Sequence, residues 1–168
     1  MTQDNRNNDH SNKPWSSNRS NNGYSSTWNR SGNNNRGFPQ MPSPVQAAKL
    51  PDEYVDAAEN VMRAHLTGRN KISTSKIRNL LGMVSPLYDK ENLSNEKELS
   101  ADSITGLDMM RIRAAYECGR DDSTKDFVIQ AKILEYLKGI QNRSDLIRFY
   151  HYMEALVAYH RYLGGKEN

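Results

Sequence analysis

The sequence predicts an all-α fold: a compact bundle of about five helices preceded by a disordered N-terminal tail. Three observations carry this prediction. Residues 45–168 hold nearly all the Leu, Ile, Val and Ala, enough apolar surface for one domain. Their apolar positions recur at i, i+3/i+4 and i+7, with no strand-like alternation. Residues 1–44 are mostly Asn, Ser, Gly, Arg and Pro, and cannot bury enough apolar surface to offset a backbone ordering cost of roughly 1–2 kcal/mol per residue.

The first helix is expected over 52–66, after Pro51. Tyr54, Val55, Ala58, Val61, Met62 and Leu66 share one face, and Asp52, Glu53 and Asp56 suit the positive end of the helix dipole. The second is expected over 74–88 with Ser73 or Thr74 as N-cap. Ile77, Leu80, Leu81, Val84, Leu87 and Tyr88 form its stripe, Lys76 and Arg78 fall on opposite edges of that stripe, and Pro86 is positioned to end or bend the helix. Residues 89–101 are polar and acid-leaning, the composition of a mobile connector.

A third helix is expected over 102–119. A fourth is expected over 123–140, opened by Ser123-Thr124-Lys125-Asp126, a capping box with Asp in place of Glu, and continued by Phe127, Val128, Ala131, Leu134 and Leu137. The fifth starts near Ser144 and ends at Gly164-Gly165, a left-handed C-cap. It is apolar or aromatic nearly all round, from Leu146 and Phe149 to Tyr159 and Leu163, which places it at the bundle centre or on a partner.

Charge divides at the same boundary as composition. The tail carries five basic residues (Arg6, Lys13, Arg19, Arg30, Arg36) against Asp4 and Asp9, whereas the domain has 18 of each sign. The net charge of +3 therefore describes the tail, and a basic surface on the domain requires segregation of its charges. The single cysteine, Cys118, excludes an internal disulfide and fits a reducing cytoplasm. No secretory signal and no apolar run of the ~18–20 residues a membrane span needs is present, so no membrane partner is expected.

The stretch between Glu59 and Asp89 contains Arg63, Arg69, Lys71, Lys76 and Arg78 and no acid. Arg69 and Lys71 lie on the 67–73 loop beside the start of the second helix, whose free N–H groups suit phosphate. An RNA-backbone site and an ordinary solvated basic edge are the two readings of this stretch. On the third helix Arg113 and Arg120, seven apart, share an edge. Arg111 falls among Leu107, Ala114, Ala115 and Cys118 and so needs a partner. It is either a structural ion-pair arginine, with Glu154 as candidate acid, or a guanidinium held by packing and aimed at phosphate. In the tail, Trp15, Tyr24, Trp28 and Phe38 alternate with Arg19, Arg30 and Arg36, which fits either weak, sequence-tolerant RNA contact or a solvated leader without a fixed partner. His10, His65, His151 and His160 make no metal-ligand spacing, and neither a Gly-rich phosphate loop nor a GxSxG elbow occurs. No cofactor and no catalysis are expected.

Three segments in order carry a family likeness: 74–81 (TSKIRNLL), 110–120 (MRIRAAYECGR) and 152–160 (YMEALVAYH). Together they resemble the small subunit of the type III-A CRISPR effector, the Csm complex, whose pattern is T-[TS]-x-[LI]-R-x-L, then R-x-x-x-x-Y-x-x-G-R, then Y-x-E-A-L-V-A-Y. Gly164-Gly165-Lys166 resembles the family ending, and the likeness runs from about residue 50 to 166. It implies a helical bundle without an active site, stacked with copies of itself in an inner filament beside other subunits of the complex. There it would contact target RNA through its backbone along the guide–target RNA duplex. On the matched positions the resemblance implies RNA contact by Arg78, Arg111 and Arg120 with Lys76 beside them; Arg69, Lys71 and Arg113 are added from charge placement. The 154–159 stretch, Glu154 included, is assigned to the core. Cys118 stands where the family often has Ala, the tail lies outside the family pattern, and the acidic connector argues against RNA contact there. A purely structural helical spacer, whose basic residues pair with neighbouring proteins, is the alternative.

Overall fold

The computed structural model describes residues 43–167. The expected disordered tail and its aromatic–arginine alternation therefore lie outside the described residues, Ser43 and Pro44 excepted. Among the described residues all regular structure is helical, as expected. The elements are α1 (Tyr54–Thr67), α2 (Thr74–Asn92), α3 (Ala101–Arg120), α4 (Asp122–Gln130), α5 (Ile133–Gly139) and α6 (Arg143–Tyr162).

Helix α6 packs against both α1 and α2, α2 also packs on α3, and α3 carries α4 and α5. This is why α6 is apolar around so much of its circumference: Leu146, Phe149, Tyr152, Met153 and Leu156 are all buried in the core. Ala58 and Met62 meet them from α1, and Ile77, Leu80 and Val84 from α2. The local start signals work as chemistry dictates. Ser73, Ser100 and Asn142 each accept a backbone N–H three residues on through their side-chain oxygen, satisfying a donor that the helix leaves free. Helix α6 ends as expected: Gly164 is left-handed (φ +80), Gly165 N–H donates to the His160 carbonyl and Gly164 N–H to that of Arg161.

Five expectations are corrected. The expected fourth helix is two. The chain breaks at Lys132, a non-glycine residue in the left-handed region (φ 50, ψ 36), and restarts at Ile133. The buried Tyr152 hydroxyl donates to the Ala131 carbonyl at 3.0 Å, supplying from α6 a hydrogen bond at the break. The cap of α4 is Asp121, two residues before the expected Ser123. Its carboxylate accepts the Thr124 N–H at 2.7 Å and the Ser123 and Thr124 hydroxyls as well.

Pro86 neither ends α2 nor shortens it, and the helix runs on to Asn92. The acid-leaning connector is in turn tied down. Glu91 is buried, and its Oε1 accepts the Ser100 N–H and the Ser100 and Ser103 hydroxyls, while Arg143 donates through Nε to the Glu91 carbonyl. Burial pushes the Glu91 carboxyl up, but these hydrogen bonds, with Ser103 foremost, outweigh it and hold it below its ordinary value. Finally, Glu154 is exposed and bonds His151, so only part of the 154–159 stretch belongs to the core, with Leu156 fully buried.

Candidate nucleic-acid interface

The basic loop between α1 and α2 is held by its one apolar residue. Ile72 is buried, its N–H donates to His65 on α1, and its carbonyl accepts from His160 on α6. With Ile72 fixed inward, Arg69 and Lys71 are left exposed, and among the described residues neither has an ion-pair partner. The expected phosphate seat on the α2 N-terminus is not free. Thr74 N–H donates to the Lys166 carbonyl at 2.9 Å, Ser75 N–H to that of Glu167, and Lys76 N–H to Ser73 Oγ. The C-terminal segment caps this helix, so cationic side chains rather than bare N–H groups define the local field.

Two adjoining clefts organise those side chains. One is lined by Arg69, Lys71, Lys76 and Lys166. The other, between α2 and α3, is lined by Lys76, Arg78, Arg113 and Arg120, with the acids Glu117 and Asp121 among them. Six of the seven sequence-predicted residues thus come together, with Lys76 shared. Arg111 does not join them. It lies on another face of α3 with Ile112, Ala115 and Leu134. Nor is it buried as the wheel required. It is half-exposed at the stripe's edge and pairs with Asp108 at 3.0 Å, not with Glu154, because one helical turn brings Asp108 to it directly.

The six differ in how free their charge is. Lys76 Nζ sits 2.8 Å from Asp121 Oδ2 and 3.0 Å from Ser123 Oγ, a strut joining the starts of α2 and α4. Lys76 first, then Ser123 and the Thr124 N–H, hold the Asp121 carboxyl far below the usual carboxylate range. Arg120 reaches Glu117 at 3.4 Å and lies 5.5 Å from the centre of the Tyr116 ring. Arg78 reaches Glu167 at 3.5 Å. Arg113 is exposed and, among the described residues, has no ion-pair partner.

Sequence reasoning missed Lys166, which lines the first cleft, and Arg161, which pairs with Glu167 beside it; no spacing signal announces either, since both depend on the C-terminal turn docking against α2.

Among the described residues no group of three or more His, Cys, Asp or Glu is placed to hold a metal ion, and no helix is long and apolar enough to cross a membrane. Fold and surface together define a small helical module whose distinguishing chemistry is a local gathering of cations on a domain whose charges sum to zero. A protein-family model described as Csm2 Type III-A matches residues 49–166. The CRISPR system Cms protein Csm2 of Streptococcus thermophilus is 41% identical over 124 residues, covering 71% of this chain and 99% of the relative. The protein of that description from Mycobacterium tuberculosis (strain ATCC 25618 / H37Rv) is 38% identical over 121 residues, covering 70% and 97%. That from Enterococcus italicus is 29% identical over 119 residues, covering 69% and 85%. The chain belongs to the Csm2 type III-A family, the small-subunit family that the three ordered motifs resemble.

Proposed function

We propose that this protein is a non-catalytic, cytoplasmic subunit of a type III-A CRISPR complex that contacts the backbone of target RNA along the guide–target duplex. The observation that carries this reading is the convergence of Arg69, Lys71, Lys76, Arg78, Arg113 and Arg120 on two adjoining clefts, in a domain whose charges sum to zero. Such a field attracts phosphate without reading bases, which suits a subunit of an RNA-guided system where pairing supplies the sequence information. Arg111 stands apart from this surface and is set aside as an RNA contact.

The filament role is supported by a different face. Met109, Ile112 and Tyr116 are exposed at helical spacing along α3, an apolar stripe suited to a second copy of this chain or a neighbouring subunit. The same stripe favours the second reading, a helical spacer whose basic residues serve protein contacts.

The two readings separate in one experiment. Labelled unstructured single-stranded RNA is titrated against the full chain across salt concentrations, with wild type and the double variant Arg113→Glu/Arg120→Glu. Backbone contact gives binding that weakens steeply with salt and is lost in the double variant, while assembly into the complex persists. Retained binding with loss of assembly would instead establish the spacer.

A further inference from the structure

Glu167 spends both carboxylate oxygens on arginines from two different helices. Its Oε1 lies 3.5 Å from Arg78 Nη1 on α2, and its Oε2 lies 3.0 Å from Arg161 Nη1 on α6. The backbone holds it there. Gly164 turns the chain with its positive φ, and the carbonyls of Lys166 and Glu167 then accept the N–H groups of Thr74 and Ser75. The Ser75 hydroxyl donates to the Glu167 carbonyl as well, at 2.7 Å. A carboxylate is thereby set between two guanidinium groups at the rim of the basic clefts.

We propose that the Glu167 carboxylate is a built-in phosphate mimic, occupying between Arg78 and Arg161 a seat for one phosphodiester of the RNA backbone. This deepens the RNA-backbone reading above and rests on it; it adds Arg161 to the contact set. A phosphodiester, like a carboxylate, presents two anionic oxygens to guanidinium forks. Exchange is feasible because the side chains of Arg78, Arg161 and Glu167 are 55%, 50% and 59% exposed, and ion pairs so exposed to water are weak. A polyanion that engages several cations together displaces such a partner readily. The Lys76–Asp121 pair is different in kind: Asp121 also caps α4 through its other oxygen, so its carboxylate cannot swing away as that of Glu167 can without uncapping a helix. The backbone bonds of Lys166 and Glu167 to α2 need not break when the Glu167 side chain swings away.

The test measures affinity of the full chain for labelled unstructured single-stranded RNA at low salt. Glu167→Gln is expected to bind about two- to fivefold tighter, the fold-change corresponding to loss of a weak exposed competitor. Glu98→Gln, which removes the same charge from the connector, is expected to match wild type. Arg161→Ala is expected to weaken binding, and to weaken it more in the Glu167→Gln background, where that arginine is no longer neutralised. Equal tightening by Glu167→Gln and Glu98→Gln would reduce the effect to net charge and overturn the mimic. Unchanged affinity in Glu167→Gln, with Arg113→Glu/Arg120→Glu still losing RNA, would overturn the mimic and leave the RNA-backbone reading standing. RNA binding absent from wild type and Glu167→Gln alike would remove both.

Discussion

His65 on α1 and His160 on α6 hold opposite polar groups of one residue: His65 Nε2 accepts the Ile72 N–H at 3.0 Å, and His160 Nε2–H donates to the Ile72 carbonyl at 2.9 Å. The first bond assigns the His65 tautomer. His65 carries its proton on Nδ1, which is buried and has no close hydrogen-bond acceptor among the described residues, the Gln130 side chain being the nearest polar influence on the ring. His160 Nδ1 lies 3.0 Å from the Thr74 hydroxyl, which also donates to the Lys166 carbonyl at 3.1 Å. The clamp fixes the loop that presents Arg69 and Lys71, so the basic surface depends on two buried imidazoles in the core.

A pH dependence follows. Burial pushes His65 down from its ordinary 6.5; the Gln130 side chain first, then the Asp126 charge, oppose this without outweighing it. The unfolded chain then takes up a proton that the native state refuses, so stability is full above about pH 6.5 and falls as pH drops below it. One proton bounds the slope at about 1.4 kcal/mol per pH unit. Urea midpoints between pH 7.5 and 5.5 should fall, and His65→Gln, which keeps an acceptor without titrating, should show a shallower fall. Identical slopes in the two proteins would remove His65 as the cause.

The connector is expected to unlock when its buried acid is removed. Glu91→Ala leaves the Ser100 N–H and the Ser103 hydroxyl without their shared acceptor, a loss of about 1.5–3 kcal/mol. Chemical denaturation should show this, and amide exchange over 93–100 should accelerate more than in α6. Acid acts in the same direction: because Glu91 is depressed, its contribution is present above its ordinary value of 4.5 and is lost as pH falls through the native value.

Two glycines on helices should respond oppositely to alanine. A Cβ at Gly139 would meet the Ala48 carbonyl oxygen, backbone that the Ala48 N–H···Glu135 bond holds in place, so Gly139→Ala should cost about 1–3 kcal/mol. A Cβ at Gly82 meets nothing within 4 Å, so Gly82→Ala should stabilise by about 0.5–1 kcal/mol through helix propensity. Thermal melting of the pair checks both signs.

Arginines two positions apart on α3 should separate in RNA binding. Arg113 lines the α2–α3 cleft, whereas Arg111 lies apart and pairs with Asp108. Arg113→Glu should weaken binding and lower the salt slope by about 1 for the lost phosphate contact. Arg111→Glu should leave both near wild type. An equal loss in the two variants would show that field strength rather than position governs binding.

Much of the fold was legible because the signals were local. Ile77, Leu80 and Val84 are buried as their spacing requires, Ser73 caps α2, and Gly164 takes the left-handed turn. The break at Lys132 was illegible for a physical reason: no Gly or Pro marks it, and the apolar spacing runs through it unchanged. The ordered connector was hidden likewise, since Glu91 reads as one more solvated acid until Ser100 and Ser103 are brought to it.

For the site, residue type and spacing determined the helical class, the basic stretch from Arg63 to Arg78, the shared edge of Arg113 and Arg120, and the family, because each is a property of chain order. Which cations stand free was decided only by tertiary structure. Lys76 meets Asp121 and Arg78 meets Glu167 across long stretches of sequence, while Arg69, Lys71 and Arg113 meet no acid among the described residues. Charge falls off with distance in space and not along the chain, so neutralisation becomes visible only once the helices are packed.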